Sequence, residues 1–181
     1  MMLFQNNKLT VRELEREDNY LLAKWLSDPA VLRFYDGRDN PFDLEKVNEK
    51  FYPPQDNIVR CIIVFEGIEI GYIQYYLLNE NTRKKYGYLN DKNVMYGMDQ
   101  FIGETQYWNK GIGKVLIKAM VDYLIIKKHV TKIVMDPQVW NKRAIRCYEK
   151  CGFKKISLLP NHELHEGEYR DCWLMEYQPG T

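Results

Sequence analysis

The segment Lys110-Gly111-Ile112-Gly113-Lys114 carries the residue types of a phosphate-binding turn. Glycine lets a backbone come close to a ligand, and the first N–H groups of a helix have no partner inside that helix. The helix dipole and the two lysine charges would add attraction for an anion. The longer P-loop and dinucleotide motifs are absent, so Gly-x-Gly alone fits a turn or a helix-packing role as well as a phosphate site.

Asp99 lies in the strand-like segment before this turn. A carboxylate within hydrogen-bonding reach of an ammonium group can take its proton and thereby make the amine nucleophilic. The residue type also fits an acid that is exposed at the end of a strand or bonded to a neighbouring loop. Asp99 is therefore a candidate general base with a structural alternative.

Tyr148 and Cys147 offer two further reactive groups in a later helical segment. A phenol can donate a proton to a departing anion, but Ala144, Ile145 and Tyr148 also have the spacing of a helix face that packs in a core. Cysteine can act as a nucleophile, yet no histidine lies near Cys147 in the sequence, and small buried cysteines are common. We therefore expect Cys147 to be structural.

Two motifs give these residues a context. The glycine pair in Gly111-Ile112-Gly113 is followed by Asn141-Lys-Arg-Ala-Ile-Arg-Cys-Tyr-Glu-Lys-Cys-Gly-Phe153. Together, GIG and NxxAIxxYEKxGF resemble the GCN5-related N-acetyltransferase superfamily, over the chain from about Val11 to Tyr177. The resemblance implies that the first motif cradles the pyrophosphate of acetyl-CoA. Where the family usually has Gln or Arg, before the first glycine, this chain has Trp108.

The resemblance also implies which residues act on the cofactor, the acetyl donor. These cofactor-binding residues are Phe101, Ile102, Lys110, Gly111, Gly113, Lys114, Asn141, Ala144 and Tyr148. Asp99 and Tyr148 would form the catalytic pair, in which the carboxylate activates the amine and the phenol acts on the departing CoA thiolate. The acetyl group would pass directly from acetyl-CoA to the amine, and no metal would take part.

Four segments narrow the resemblance to the aminoglycoside 6′-N-acetyltransferases, and among them to the acetyltransferase half of the bifunctional enzymes that also carry a phosphotransferase. They are FYDGRD from Phe34, YGMDQFIGE from Tyr96, Asp136-Pro137, and HELHEG from His162. The resemblance implies acetylation of the 6′-amine of aminoglycoside antibiotics, which confers resistance. The expected substrate-binding residues are Tyr35, Gln74, Asp99 and Asp136. Tyr35 and Asp136 fall at matching positions of the family, whereas Gln74 is expected because its strand lies beside the site, where it could bond a sugar hydroxyl. Further candidates for a polycationic drug are Phe34, Glu163, Glu166 and Glu168.

Two other functions stay open at this point. A protein N-terminal or other small-amine N-acetyltransferase of the same superfamily would share the cofactor motifs. A non-catalytic acetyl-CoA-binding module would bind the cofactor without turnover, although the presence of both Asp99 and Tyr148 argues against it.

The elements that must position these residues follow from the hydrophobic period along the chain. Strands are predicted at Leu9–Leu14, Ile58–Phe65, Ile68–Leu77, Val94–Ile102, Thr131–Met135, Phe153–Leu159 and Tyr169–Tyr177. Helices should begin after Asp18, Asp43, the glycine pair and Asn141. Leu78–Lys92 and His162–Glu168 are predicted to be irregular or loop. This order is that of the acetyltransferase fold, which implies an α/β (α+β) class with a central mixed sheet, its fourth and fifth strands splayed, and flanking helices.

Length and composition set the remaining bounds. The 181 residues favour a single domain, residues 1–181, and the net charge of +1 does not indicate a nucleic-acid partner. We expect no signal peptide, because no basic segment leads into an apolar stretch at the N-terminus. We expect no membrane span, because no apolar run is long enough. The four cysteines lack C-x-x-C spacing and the three histidines do not join them in a ligand set, so we expect no metal and a cytoplasmic, reduced protein.

Overall fold

The computed structural model describes residues 1–180. Its strands are β1 (Met2–Asn6), β2 (Leu9–Glu13), β3 (Ile58–Phe65), β4 (Ile68–Leu77), β5 (Met95–Ile102), β6 (Lys132–Met135), β7 (Lys154–His165) and β8 (Glu168–Tyr177). Its helices are α1 (Asn19–Trp25), α2 (Pro29–Leu32), α3 (Leu44–Phe51), α4 (Glu80–Lys85), α5 (Ile112–Lys128) and α6 (Lys142–Lys150). Short 3-10 turns at Arg16–Asp18 and Thr105–Tyr107 precede α1 and α5.

The strands form one eight-stranded sheet in the order β1-β2-β3-β4-β5-β6-β8-β7. The sheet is mixed, because β5 and β6 are parallel whereas β2 is antiparallel to β1 and β3, and β6 is antiparallel to β8. The predicted α/β class with a central mixed sheet and flanking helices is confirmed. Within residues 1–180, no helix is both long and apolar enough to cross a membrane.

The parallel pair β5 and β6 corresponds to the predicted fourth and fifth strands, since β1 was not predicted. Met95–Gly97 pair with Lys132–Val134, and the pairing ends there although β5 continues to Ile102. Strands that pair only at their beginning are the arrangement expected of a splayed pair. Asp99 therefore lies in the part of β5 that follows the paired segment.

Local sequence signals place several of these elements. The β3–β4 hairpin turns at Glu66 and Gly67, which both have positive φ (49° and 80°), as a tight two-residue hairpin requires. The Asp43 side chain accepts a hydrogen bond from the Lys46 N–H at 2.8 Å and caps α3. After α6, Gly152 has φ +97°, the conformation of a helix-ending glycine. All three signals were predicted and are confirmed.

Other expectations were wrong. The strand β1 precedes the predicted first strand, and α4 lies within the predicted irregular segment Leu78–Lys92, where the Asn79 side chain caps it by accepting from Thr82 N–H at 2.8 Å. The predicted loop from His162 is instead the end of β7, so His162 and His165 are strand residues. β7 is the last strand in the sheet order and most of it is exposed, so it lacks the apolar alternation that marks a strand.

The chain forms two compact units that each draw on separate segments. The first comprises residues 1–74, 100–112 and 165–167, and its core is an aromatic cluster that includes Trp25, Phe51, Tyr72 and Phe101. The second comprises residues 75–99 and 113–164 and the chain from Glu168. Part of its core is a cluster of Leu78, Tyr88, Met95, Val134 and Leu174.

Candidate active site

The second unit contains a cluster of carboxylates and phenols at Asp99 and Asp136. Asp99 is on β5, and Asp136 directly follows β6. Tyr76 on β4 makes a hydrogen bond to Asp99 through its hydroxyl. Asp136 Oδ2 accepts from the Tyr86 hydroxyl at 3.0 Å and lies 2.8 Å from Nε2 of His162. Both predicted acids are therefore held by neighbours rather than free in solvent.

The electrostatics of this cluster keep its phenols protonated. Burial raises the pKa of Tyr76, and the charges of Asp99 and Asp136 raise it further. Burial likewise raises the pKa of Tyr86, followed by the charge of Asp136 and the hydrogen bond to it. The phenols thus stay protonated and act as donors to the carboxylates at neutral pH. Such a cluster can bind an ammonium group and accept a proton from it.

A glycine on β5 makes room for one of these phenols. A Cβ atom at Gly97 would lie 2.6–2.8 Å from the ring and hydroxyl of Tyr76, closer than real Cβ contacts. Any larger residue at this position would push the phenol aside. Gly97 therefore leaves space for the Tyr76 side chain beside β5. Because Gly97 stands two residues before Asp99, the two residues lie on the same face of the strand.

The first unit contains the other two predicted substrate residues, Tyr35 and Gln74. The Tyr35 ring lies 4.6 Å, between centroids, from the ring of Phe101, and the Tyr72 ring stacks on Phe101 at 5.6 Å. The Tyr72 hydroxyl donates to Oε1 of Gln74 at 2.6 Å, which fixes the orientation of the amide. One aromatic cluster thus connects Tyr35 and Gln74. This connection was not predicted from the sequence.

Phe101 and Ile102 make contacts within the protein that limit which of their atoms can contact a ligand. The Phe101 side chain is buried among the rings of the first unit. The Ile102 carbonyl accepts a hydrogen bond from Nε1 of Trp108 at 2.8 Å, and the Trp108 ring packs edge-on against Phe34 at 5.7 Å. Trp108, which departs from the family pattern, therefore fixes the position of the chain segment after β5 through this hydrogen bond and ring contact. A cofactor contact from Phe101 can come only from its backbone.

Gly111 and Gly113, at the turn where α5 begins, differ in whether the backbone conformation requires a glycine. Gly111 has φ +77°, a conformation that favours glycine, and apart from its chain neighbours no atom of residues 1–180 lies within 4 Å of its Cβ position. Gly113 has no such φ, and its Cβ position would touch only Sγ of Cys147, at an ordinary 3.6 Å. Within the described residues, packing does not require a glycine at 113. Lys110 and Lys114 are exposed beside this turn.

The cap residue of α6 and two residues within the helix, all predicted to bind the cofactor, are spaced three and four apart and so share one face. Asn141 caps the helix by accepting from the Ala144 N–H at 3.3 Å. Asn141, Ala144 and Tyr148 are all partly exposed, so Tyr148 is not a fully buried core tyrosine. Its ring contacts Phe153 at 6.2 Å between centroids. This face can therefore contribute an amide and a phenol to a ligand.

Cys147 is poorly suited to covalent catalysis. A hydrogen bond with the Cys151 thiol raises the pKa of Cys147, and burial raises it further. A thiol that stays protonated is a weak nucleophile. Among residues 1–180, no group of three or more His, Cys, Asp or Glu side chains could hold a metal ion.

The late acids that were candidates for drug binding already have protein partners. Glu166 accepts from Nε and Nη2 of Arg38 at 2.6 and 2.8 Å, and Glu163 accepts from the Gln138 amide at 2.8 Å. Glu168 is exposed and pairs with Arg170 at 3.3 Å. Among the acids that were candidates for drug binding, Asp99 and Asp136 are thus the two that accept hydrogen bonds from phenols.

Sequence reasoning missed three members of the carboxylate cluster: Tyr76, Tyr86 and His162. A signal existed for Tyr76, because it stands two residues after Gln74 and so shares its face of β4. Tyr86 follows a helix that was not predicted, and His162 was placed in a loop. Neither had a local pattern that pointed to Asp136.

Comparison with known proteins gives consistent results. A family model described as an acetyltransferase (GNAT) domain matches residues 15–159. An aminoglycoside N(6′)-acetyltransferase type 1 from Klebsiella pneumoniae is 32% identical over 153 residues, which are 83% of this chain and 76% of that protein. The motifs and the overall sequence thus indicate the same relatives.

Solved structures agree with the sequence comparison. The aminoglycoside acetyltransferase AAC(6′)-Ib in complex with coenzyme A and kanamycin has a TM-score of 0.75 at 27% identity, over 94% of this chain and 95% of that chain. A spermidine N-acetyltransferase from Vibrio cholerae, in complex with CoA and spermine, has a TM-score of 0.77 at 20% identity, over 96% of each chain. The second likeness shows a shared fold only.

Proposed function

The chain belongs to the acetyltransferase (GNAT) domain family, and from this membership we propose that it transfers acetyl from acetyl-CoA directly to the 6′-amine of aminoglycoside antibiotics and so confers resistance. The observation that carries the choice of substrate is the carboxylate cluster: Asp99 and Asp136 both receive bonds from partly buried phenols in the second unit. A polycationic amine is the acceptor that such a cluster suits. The 32% identical relative, named for 6′-acetylation of aminoglycosides, supports the same reaction.

The residues have distinct roles in this proposal. Asp99 takes a proton from the 6′-ammonium, because the amine cannot attack while it is protonated. Asp136 holds a second ammonium as a counter-ion, and Tyr35 and Gln74 contact the sugar rings. Bound acetyl-CoA supplies an activated acetyl group. Tyr148 donates its hydroxyl proton to the sulfur of the leaving thiolate.

We assign the cofactor to the turn before α5 and the exposed face of α6. The N–H groups from Lys110 to Lys114 would bind the pyrophosphate, with both lysines adding charge. Asn141, Ala144 and Tyr148 would line the pantetheine arm, and the backbone of Phe101 and Ile102 would bond to it. The alternation of glycine and lysine in an exposed turn supports this assignment.

Replacing Gly113 with valine should weaken acetyl-CoA binding about 10- to 100-fold, the effect of losing one or two hydrogen bonds to a charged group. The added side chain would occupy the space of the pyrophosphate. Calorimetric titration with acetyl-CoA measures the change. Among the described residues outside its own helix turn, Cys147 lies within 4 Å of the new Cβ. A Gly113→Val/Cys147→Ala variant is therefore the control: recovery of affinity would mean that packing, not the ligand, explains the loss.

The proposed reaction predicts turnover that depends on the 6′-amine. Release of CoA thiol should be fast with kanamycin and about background with a congener that has a 6′-hydroxyl, since the group that Asp99 deprotonates is then missing. Peptides with free N-termini and small polyamines complete the panel. Preference for a peptide amine would favour the protein N-terminal acetyltransferase alternative, and tight acetyl-CoA binding without turnover would favour a non-catalytic module.

Three further assignments complete the proposal. Residues 1–181 act as a single N-acetyltransferase domain, since the family match from 15 to 159 includes segments of both compact units. The partners are acetyl-CoA and the drug. The cytoplasm is the proposed location, because all four cysteines are thiols, as a reducing compartment maintains them.

A further inference from the structure

The loop of residues 34–40, between α2 and α3, packs against side chains at and after the end of β5. The Tyr35 ring lies 4.6 Å from the ring of Phe101, and the Phe34 ring lies 5.7 Å from the ring of Trp108, both measured between centroids. These rings are the contacts through which the loop meets that part of the chain. The conformation of the loop therefore decides where the Tyr35 side chain stands beside β5.

Arg38 connects this loop to the turn between β7 and β8. Its backbone N–H and its Nε donate to Oε2 of Glu166 at 3.2 and 2.6 Å, and its Nη2 donates to Oε1 at 2.8 Å. A guanidinium that binds both oxygens of a carboxylate fixes the orientation of the two groups as well as their distance. Residues 34–40 and 165–167 belong to the same compact unit. The contact is therefore part of the internal structure of the first unit.

The loop backbone beside Arg38 fits this contact. Gly37 is buried and has φ +95°, and a Cβ atom there would lie 3.3 Å from Cγ of Glu166 and 2.7 Å from Oδ1 of Asp39. A larger residue at position 37 would be strained and would crowd the Glu166 side chain. The loop backbone is therefore shaped to receive the glutamate.

A second turn with the same two residue types shows what the hairpin alone produces. Glu66 and Gly67, between β3 and β4, have φ of 49° and 80°, and Glu166 and Gly167 have φ of 51° and 81°. The side chain of Glu66 is 53% exposed, whereas that of Glu166 is 18% exposed. The conformation of the turn does not account for this difference. It follows from the contacts that Glu166 makes with the loop.

We propose that Arg38 and Glu166 are a pair of positioning residues, which hold the 34–40 loop in the conformation in which Tyr35 contacts the aminoglycoside. The two side chains neutralise each other and act through the ring of Tyr35, without touching the drug. Because Tyr35 is assigned to the drug only by the proposed function, this role rests on that function.

The expected effect of the pair is on affinity for the drug and not on the chemical step. Without the pair, the loop populates other conformations, and the apparent affinity falls with the fraction of molecules in which Tyr35 is in place. An exposed ion pair contributes up to a factor of about five in such an equilibrium. We therefore expect KM for kanamycin to rise about fivefold when the pair is broken. The value of kcat should be retained, because Asp99 and Tyr148 lie outside the loop.

The test measures acetylation kinetics with kanamycin for wild type, Arg38→Gln, Glu166→Gln and the double variant. Each single change should raise KM for kanamycin about fivefold. The double variant should be no worse than either single one, because the second change removes a contact that is already lost. Glu66→Gln is the matched control, since it breaks an exposed pair with Lys8 at 3.0 Å in a turn with nearly the same φ values. It should keep the wild-type KM.

A second set of variants tests whether the pair acts through Tyr35. Tyr35→Leu alone should raise KM for kanamycin. Adding Arg38→Gln to Tyr35→Leu should raise KM no further, because the ring that the pair positions is then missing. If Arg38→Gln has its full effect in the Tyr35→Leu protein as well, the pair does not act through Tyr35 and the proposal is wrong.

The remaining results separate this role from its alternatives. If Glu166 binds the drug itself, Arg38→Gln leaves its charge unneutralised and lowers KM, a change of the opposite sign that overturns the proposal. An unchanged KM in both single variants, with a lower temperature of unfolding, would make the pair purely structural. If Arg38→Gln does not fold, Glu166→Gln gives the same test. Either of these failures with an active wild type leaves the proposed function intact, whereas a wild type that neither binds nor acetylates kanamycin overturns both.

Discussion

Replacing Asp99 with asparagine should lower kcat for 6′-acetylation by about 10²–10⁴, the usual contribution of a general base. Asparagine has nearly the same size, and its carbonyl oxygen can still accept the hydrogen bond that Tyr76 makes to Asp99. The fold and the phenol should stay in place, while the group that takes the ammonium proton is lost. Steady-state kinetics with kanamycin at saturating acetyl-CoA measures the effect.

The pH profile of kcat/KM separates a base from a counter-ion. A base gives a rate that rises with pH through its own ionisation, and Asp99→Asn should lose that limb and partly recover at high pH, where free amine is abundant. A counter-ion would leave the limb unchanged and weaken drug binding. Asp122→Asn, an exposed change on α5, is the control. Matching profiles at equal height would refute both roles and direct attention to Asp136, because Glu104 is paired with Lys24 at 2.6 Å.

Replacing Tyr148 with phenylalanine should lower kcat about 10²-fold, the lower end of general acid catalysis, with drug affinity unchanged. The change removes only the hydroxyl that would protonate the thiolate. The ring, which contacts Phe153 at 6.2 Å, is retained, so the helix should pack as before. Single-turnover acetylation measures the chemical step, and calorimetry measures the affinity.

Tyr169→Phe is the matched control for this variant, because Tyr169 is 66% exposed on β8. It should turn over like wild type. If Tyr148→Phe also keeps full turnover, the phenol serves packing alone, and the proton must come from water or from another donor.

Features that depend on neighbours in the sequence were predictable, and those that depend on distant contacts were not. The hairpin at Glu66-Gly67 and the cap at Asp43 follow from a few adjacent residues. β7 was predicted too short because it is exposed and polar and contains Pro160, and its hydrogen bonding at the edge of the sheet leaves no pattern in its side chains.

The same distinction applies to the candidate site. Asp99 and Asp136 came from matching motifs, but the partners that define their charge did not. The bond from Tyr86 to Asp136 spans 50 residues, and that from Arg38 to Glu166 spans 128. Glu166 was a candidate for drug binding because of its charge, and only the fold shows that an arginine already neutralises it. No local pattern in the sequence encodes such a pairing.

The contact between Gly97 and Tyr76 restricts how this enzyme can diversify. A Cβ atom at position 97 would overlap the Tyr76 ring at 2.6 Å, so a single substitution there would displace the phenol that donates to Asp99. Under selection by new antibiotics, variants with altered acceptor range should arise at the exposed positions around the acids before they arise at 97. A change at 97 becomes accessible once a smaller side chain has replaced Tyr76. The order in which mutations can accumulate is therefore constrained, and the two positions should covary among descendants of this sequence.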